Sequence, residues 1–283
     1  MAAAATDAPI GRQPVINLRN IDDLPTLPAV ALRIAQSLNS PDVSIVQVGQ
    51  EIERDQAICA KVLKLVNSPF YGFSGRIPSI QRALVLLGFN VVRSLVLGLS
   101  VFDRGGERVR DLWLHSLGVS TAAEILARKL QMPDADEIAT AALLHDIGKV
   151  LAHVKAPSFV DKVRDFAIEN GCVTLHAERE VLGTDHAEMG RFMAEKWTLP
   201  RVITEVVAFH HAPDLAAAAA RQAAVVHVAD AIVKGFGYGQ FSQELVGKIS
   251  PTIWSNLRLE PENVGTLIDD LAEPLRMLRS VQL

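Results

Sequence analysis

Cysteine is scarce in this chain. Cys59 and Cys172 are the only two in 283 residues, too few for a disulfide framework or a thiolate metal site, and this points to a reducing compartment, the cytoplasm. Cationic clustering is missing as well: the formal net charge is −4 and Lys and Arg are scattered, which argues against a nucleic-acid partner. The N-terminus has alanines but no basic region before them, and Asp7 and Pro9 interrupt it, so residues 1–20 read as a flexible leader and not as a secretory signal. No uninterrupted apolar run is long enough to insert into a membrane. The most apolar stretch, Ala83 to Phe102, is broken by Asn90, Arg93 and Ser94 and contains Gly88 and Gly98, so it reads as buried helix. Internal repeats and convincing two-residue alternation are also absent. What is present is 49% hydrophobic residues at spacings of three and four, the pattern of an all-α protein with a real core.

Turn chemistry divides these helices. Pro25 and Pro28 open a first helix carrying Val30, Ile34 and Leu38, ended by Asn39-Ser40-Pro41. A single second helix is expected from Ser44 to Val66, stopped by Asn67-Ser68-Pro69, with a loop from Phe70 to Pro78. Ser79 to Phe102 reads as two helices parted near Gly88-Phe89-Asn90, and Gly105-Gly106 marks a boundary. Beyond it come helices over Asp111–Leu130, Asp136–Ile147, His186–Trp197, Arg201–His211 and Leu215–Val233, with Gly148 expected as a left-handed cap and Lys149 complementing the helix dipole. A last amphipathic helix carries Ile268, Leu271, Leu275 and Leu278. The expected units are therefore a leader (1–20), an N-terminal helical subdomain (21–105), a second helical subdomain (106–250) and a C-terminal helical extension (251–283).

The second subdomain holds the informative residues. His115, His145, Asp146, His186, His210, His211 and Asp230 fall in the order H, HD, H, HH, D and use five of the eight histidines. Neutral imidazole and ionised carboxylate are the donors that first-row transition metals take from proteins. His145 and Asp146 are neighbours about 100° apart on a helix, so only a groove between helices lets both reach one centre. A carboxylate shared there can bridge two cations about 3.5 to 4 Å apart. One ion could take His115, His145, Asp146 and Asp230, and a second could share Asp146 and take His186, His210 and His211. Taken singly, each histidine has an ordinary alternative as a packed or surface residue; it is the joint order that carries weight.

His145-Asp146-Ile147-Gly148-Lys149 matches the HDxGK element of the HD phosphohydrolase superfamily. Asp185-His186-Ala187-Glu188-Met189-Gly190, Trp197-Thr198-Leu199-Pro200, His210-His211-Ala212-Pro213 and His227-Val228-Ala229-Asp230 resemble later elements shared by HD-GYP and HDOD proteins. The N-terminal half decides between the two: Leu24-Pro25-Thr26-Leu27-Pro28, Arg54-Asp55, Asn67-Ser68, Ile77-Pro78-Ser79-Ile80 with Ala83, and Leu86-Leu87-Gly88 resemble the HDOD signature. The resemblance spans about residues 20 to 233.

It implies an all-helical N-terminal subdomain packed on an HD-like bundle, in a bacterial signal-transduction protein with a signalling protein partner, for which the groove around Asn67 to Gly75 is a candidate surface. Unlike many members, this sequence keeps every H, HD, H, HH, D position, which implies a bound divalent transition metal, two ions on this ligand set, with Fe or Mn favoured over Zn, Ni or Co by the imidazole-rich set. The alternative is a metal-dependent phosphohydrolase or phosphodiesterase acting on a nucleotide or other phosphoester, with Asp146 as bridge and Lys149 holding a substrate phosphate. The Gly-Tyr-Pro loop of the cyclic-di-GMP phosphodiesterases is missing after His211, and Gly237-Tyr238-Gly239 reads as loop glycines. Asp111 is either an extra ligand or a helix-terminal acid, His227 a supporting partner or a packed core residue, and His153 and His176 structural or solvent-facing.

Overall fold

Local capping decides where the helices begin. The computed structural model describes Ile16 and residues 27–37, 44–239 and 245–281. The expected leader, Ile16 apart, lies outside the described residues, as do Leu38 and the Asn39-Ser40-Pro41 stop. Within them run α1 (Ala29–Ser37), α2 (Ile45–Arg54), α3 (Gln56–Val66), α4 (Ile80–Leu87), α5 (Phe89–Phe102), α6 (Arg110–Lys129), α7 (Ala135–Leu144), α8 (Ile147–Lys155), α9 (Pro157–Asn170), α10 (Thr174–Leu182), α11 (His186–Lys196), α12 (Arg201–Phe209), α13 (Ala220–Gly235), α14 (Pro251–Leu257) and α15 (Pro261–Leu278). Among the described residues there is no strand, and no helix is long and apolar enough to cross a membrane.

The helix expected from Ser44 to Val66 is two helices. Asp55 is extended at φ −91° and ψ 94°, and its carboxylate accepts the Ile58 N–H at 3.1 Å, so it caps α3 and breaks the run. Gly88 parts α4 from α5 as expected, at φ +86°, where a side chain would be strained. Asn67 does more than end α3. Its amide donates to the carbonyls of Leu63 (2.7 Å) and Ile77 (2.9 Å) and accepts the Ile77 N–H at 2.7 Å, tying the loop back onto the helix.

Packing joins these pieces around one continuous apolar core. Helix α5 packs against α1, α3 and α4 and also against α7 and α8, while α6 is gripped by α7, α13 and α15. The inward stripe of α15 is Leu267, Leu271, Leu275 and Leu278, with Ile268 exposed instead of buried. Leu275 and Leu278 close over Gly118 of α6, and each fully buried leucine contributes roughly 1.5 to 3 kcal/mol over an exposed one. Helices α11 and α12 pack on each other, α11 also on α8, and α12 also on α7 and α13. The ends of α7, α11 and α12 and the middle of α6 and α13 thereby converge.

The start of α13 has no cap of its own, and α12 supplies one. Glu205 accepts the N–H groups of Ala218 and Ala219 at 2.7 and 2.8 Å and the Arg201 Nε at 2.7 Å. Burial pushes its carboxyl up, but these donors outweigh it and hold it below the usual range. A depressed folded-state value gives stability that is present above the unfolded value and lost as pH falls through the folded one. Glu205→Gln should therefore cost about 1 kcal/mol at neutral pH in denaturant unfolding, with the difference from wild type closing as pH is lowered below about 4.

Candidate metal centre

The seven residues converge from five segments. His115 is on α6 and Asp230 on α13; His145 and Asp146 form the turn between α7 and α8; His186 opens α11, placed there by Asp185, which accepts the Glu188 N–H at 2.9 Å; His210 and His211 follow α12. The helix expected to run through Ile147 instead ends at Leu144, so His145 and Asp146 sit at a junction and both turn into the same space.

Ring orientation follows from what each Nδ1 touches. His115 donates to the Tyr238 carbonyl (2.6 Å), His145 to that of Ala142 (2.6 Å), and His210 to that of Val207 (2.9 Å). His186 donates to Glu178 Oε2 at 2.5 Å, and the same oxygen accepts its backbone N–H at 2.9 Å. An Nδ1 that gives its proton to an acceptor leaves the Nε2 of a neutral ring with a lone pair. Those lone pairs face the carboxylates. His115 Nε2 lies 3.0 Å from Asp230 Oδ1 and 3.5 Å from Asp146 Oδ2, and His145 Nε2 lies 3.3 Å from Asp146 Oδ2 and 3.9 Å from Asp230 Oδ1. Across the carboxylate, Asp146 Oδ1 is 3.3 Å from His186 Nε2 and 3.8 Å from His210 Nε2, while His186 Nε2 is 3.4 Å from His210 Nε2 and 2.8 Å from His211 Nε2.

These spacings fit cations. Two donors about 2.1 Å from one ion are roughly 3.0 to 3.4 Å apart at octahedral or tetrahedral angles. His115 Nε2, His145 Nε2, Asp146 Oδ1 and Asp230 Oδ1 are buried and have no hydrogen-bond partner, a cost that native interiors seldom bear. Acceptors facing acceptors in a dry interior call for a positive charge between them. Among the described residues, two groups could hold an ion: His115, His145 and Asp146, with Asp230 Oδ1 beside them, and His186, His210 and His211.

The electrostatics keep four of the donors, His210, His211, Asp146 and Asp230, in their binding forms. Burial, reinforced by neighbouring imidazoles, holds His210 and His211 well below the usual histidine value. Burial pushes Asp146 up, but His145, Lys149 and His186 outweigh it and hold it well below the usual carboxylate range; Lys234 and His115 do the same for Asp230. His186 is raised: burial acts downward, and Glu178 overcomes it.

The remaining candidates separate cleanly. Lys149 is 1% exposed, with Nζ 2.8 Å from Asp146 Oδ2, so it neutralises that carboxylate inside the core. Asp111 is exposed in the first turn of α6, His176 is exposed, and His153 donates to the Lys149 carbonyl at 2.8 Å. Gly148 is no left-handed cap but part of α8, where a Cβ would lie 1.9 Å from the His186 carbonyl oxygen. Sequence reading missed Glu178, for which no local pattern exists, and Lys234, whose Nζ is 3.0 Å from Asp230 Oδ2 and whose four-residue spacing from it was a usable signal. A cavity of about 150 Å³ opens onto His186, His211 and Asp230. A larger one of about 260 Å³, lined by Phe70, Tyr71, Leu86, Leu117 and Thr121 among others, contains none of the seven.

Two substitutions test this construction. Gly148→Ala should push α8 from α11, costing about 3 kcal/mol in denaturant unfolding. Glu178→Gln should leave the fold intact and weaken binding of a divalent transition ion roughly 10- to 100-fold in chelator competition, because His186 loses the charge that orients it.

Comparison with known proteins places this frame. A family model described as HDOD domain matches residues 24–213. An uncharacterised protein of Treponema pallidum (strain Nichols) is 28% identical over 196 residues, which cover 68% of this chain and 38% of that protein, so the chain spans less than half the length of that curated relative. An HDOD domain protein of unknown function from Geobacter sulfurreducens is 27% identical, with a TM-score of 0.73 over 93% of this chain and 94% of its own. A provisionally named signal transduction protein from Marinobacter aquaeolei VT8 has a TM-score of 0.77 over 90% of this chain and 58% of its own; at 22% identity that likeness bears on the fold alone. The family match runs from the N-terminal helices through the paired histidines, over the same helical frame, and the chain belongs to the HDOD family.

Proposed function

We propose that this HDOD chain is a regulatory protein built around a binuclear centre of divalent transition ions, and that hydrolysis of a small phosphoester is the chemistry the centre serves. The observation that carries the reading is the position of Asp146, with Oδ2 toward His115 and His145 and Oδ1 toward His186 and His210. Ions held on the two sides would polarise a phosphoryl oxygen and lower the pKa of water from about 15.7 toward 7, so no serine or cysteine nucleophile is needed.

The chain's own residues prepare that chemistry. Tyr238, Ala142, Val207 and Glu178 fix four imidazoles with Nε2 inward, which removes reorganisation from binding. Lys149 and Lys234 each occupy one carboxylate, holding Asp146 and Asp230 ionised. The cavity that opens onto His186, His211 and Asp230 is where a substrate would enter. Burial of His115, His145, Asp146 and His210 at 0 to 1% exposure favours a second reading, in which the ions hold the helices together for a signalling partner and no turnover occurs.

Elemental analysis of the purified protein, paired with a screen of phosphomonoesters and phosphodiesters, tests both. The expected result is about two transition ions per chain with turnover, both lost in Asp146→Asn. A metal-free wild-type protein would falsify the metal reading, full metal content in the variant would remove Asp146 from its role, and bound metal without turnover would favour the second reading.

A further inference from the structure

The cavity beside His211 has a polar wall that the seven donors do not supply. His227 is 8% exposed, and its Nδ1 donates to the His210 carbonyl at 2.7 Å, which leaves the lone pair of the neutral ring on Nε2. That Nε2 is buried without a hydrogen-bond partner, and the ring lines the cavity. A packed core histidine, the ordinary expectation for this position, has no reason to keep an unsatisfied nitrogen against a void.

The same cavity is lined by Lys234, by the exposed Lys248, and by Val173, Thr174 and Leu175 at the start of α10, a helix that begins without a side-chain cap. Lys234 is paired with Asp230, which lines the cavity too, so the exposed Lys248 ammonium and the positive end of a helix are what suit an anion. A buried lone pair beside them suits a hydroxyl. At about 150 Å³ the cavity is smaller than the roughly 300 to 1,000 Å³ of ordinary ligand sites, so it admits a phosphate with a short polyol and not a cyclic dinucleotide.

We propose that this cavity recognises a phosphorylated sugar or polyol, with the phosphate on Lys248 and the first turn of α10 and a hydroxyl donating to His227 Nε2. The inference rests on the phosphoester reading of the metal centre and names its substrate class. His227 and Lys248 then set specificity, while the seven donors hold the ions.

The test is calorimetric titration of the full chain with ribose 5-phosphate, inorganic phosphate and ribose, with metal content measured in every sample. Wild type should prefer ribose 5-phosphate over inorganic phosphate by about tenfold and bind ribose least. His227→Asn keeps a donor for the His210 carbonyl but deletes the Nε2 position; it should abolish the preference while leaving inorganic phosphate binding and metal content unchanged. Lys248→Glu, on an exposed residue, should weaken both phosphates about tenfold with metal content unchanged. A preference that survives His227→Asn, phosphate binding untouched by Lys248→Glu, or no binding of ribose 5-phosphate near 1 mM would each overturn the proposal. Failure of the metal reading shows separately, as metal-free wild-type protein; a His227-dependent preference in that protein would still support the cavity's assignment.

Discussion

Buried between two sets of imidazoles, the Asp146 carboxylate sets the terms for everything around it. An ionised carboxylate at 1% exposure is expensive unless positive charge or proton donors surround it. Lys149 satisfies part of that demand, but Oδ1 has no hydrogen-bond partner. Four backbone or carboxylate acceptors turn the histidine lone pairs toward this oxygen pair, and they come from α7, α10, α12 and the segment after α13. The bundle is thus arranged around an electrostatic problem that the protein's own atoms leave open, and if a cation fills it, as proposed above, folding and cation binding share one free-energy balance.

Much of this was legible in the residues. The seven donors could be collected because imidazole and carboxylate at those positions are chemically distinctive, and the all-helical frame because apolar spacing of three and four recurs throughout. The boundaries were less legible where a side chain competes with the helix: Asp55 interrupts a continuous helical pattern by capping the next helix, and α7 stops at Leu144 although its sequence would let it continue. The supporting residues were hidden for a different reason. Glu178 meets His186 only because α10 packs beside the start of α11, and Tyr238 meets His115 across 123 positions through a carbonyl that every residue type possesses. Such contacts leave no mark on local sequence.

Two demands meet at the cavity near His211. The buried donors sit in a dry interior, while the substrate proposed above would need access, and this cavity would provide it. Its lining combines residues that hold charge, Lys234 and Lys248, with a histidine that α13 carries one turn from Asp230. The same helix therefore places His227 and Asp230 on one cavity, whereas the larger cavity between Tyr71 and Leu117 is lined by the carboxylates Glu124 and Asp136 and by no histidine.

The contact between Gly148 and the His186 carbonyl, with Gly190 close by, sets the two halves of the donor array backbone to backbone. Their separation is measured by main-chain atoms, which mutation does not change, and not by side-chain volumes, which drift. Apolar substitutions elsewhere in α8 and α11 would therefore change packing without changing this spacing, so long as the glycines remain: the distance between the two halves is fixed by backbone and not by side-chain size.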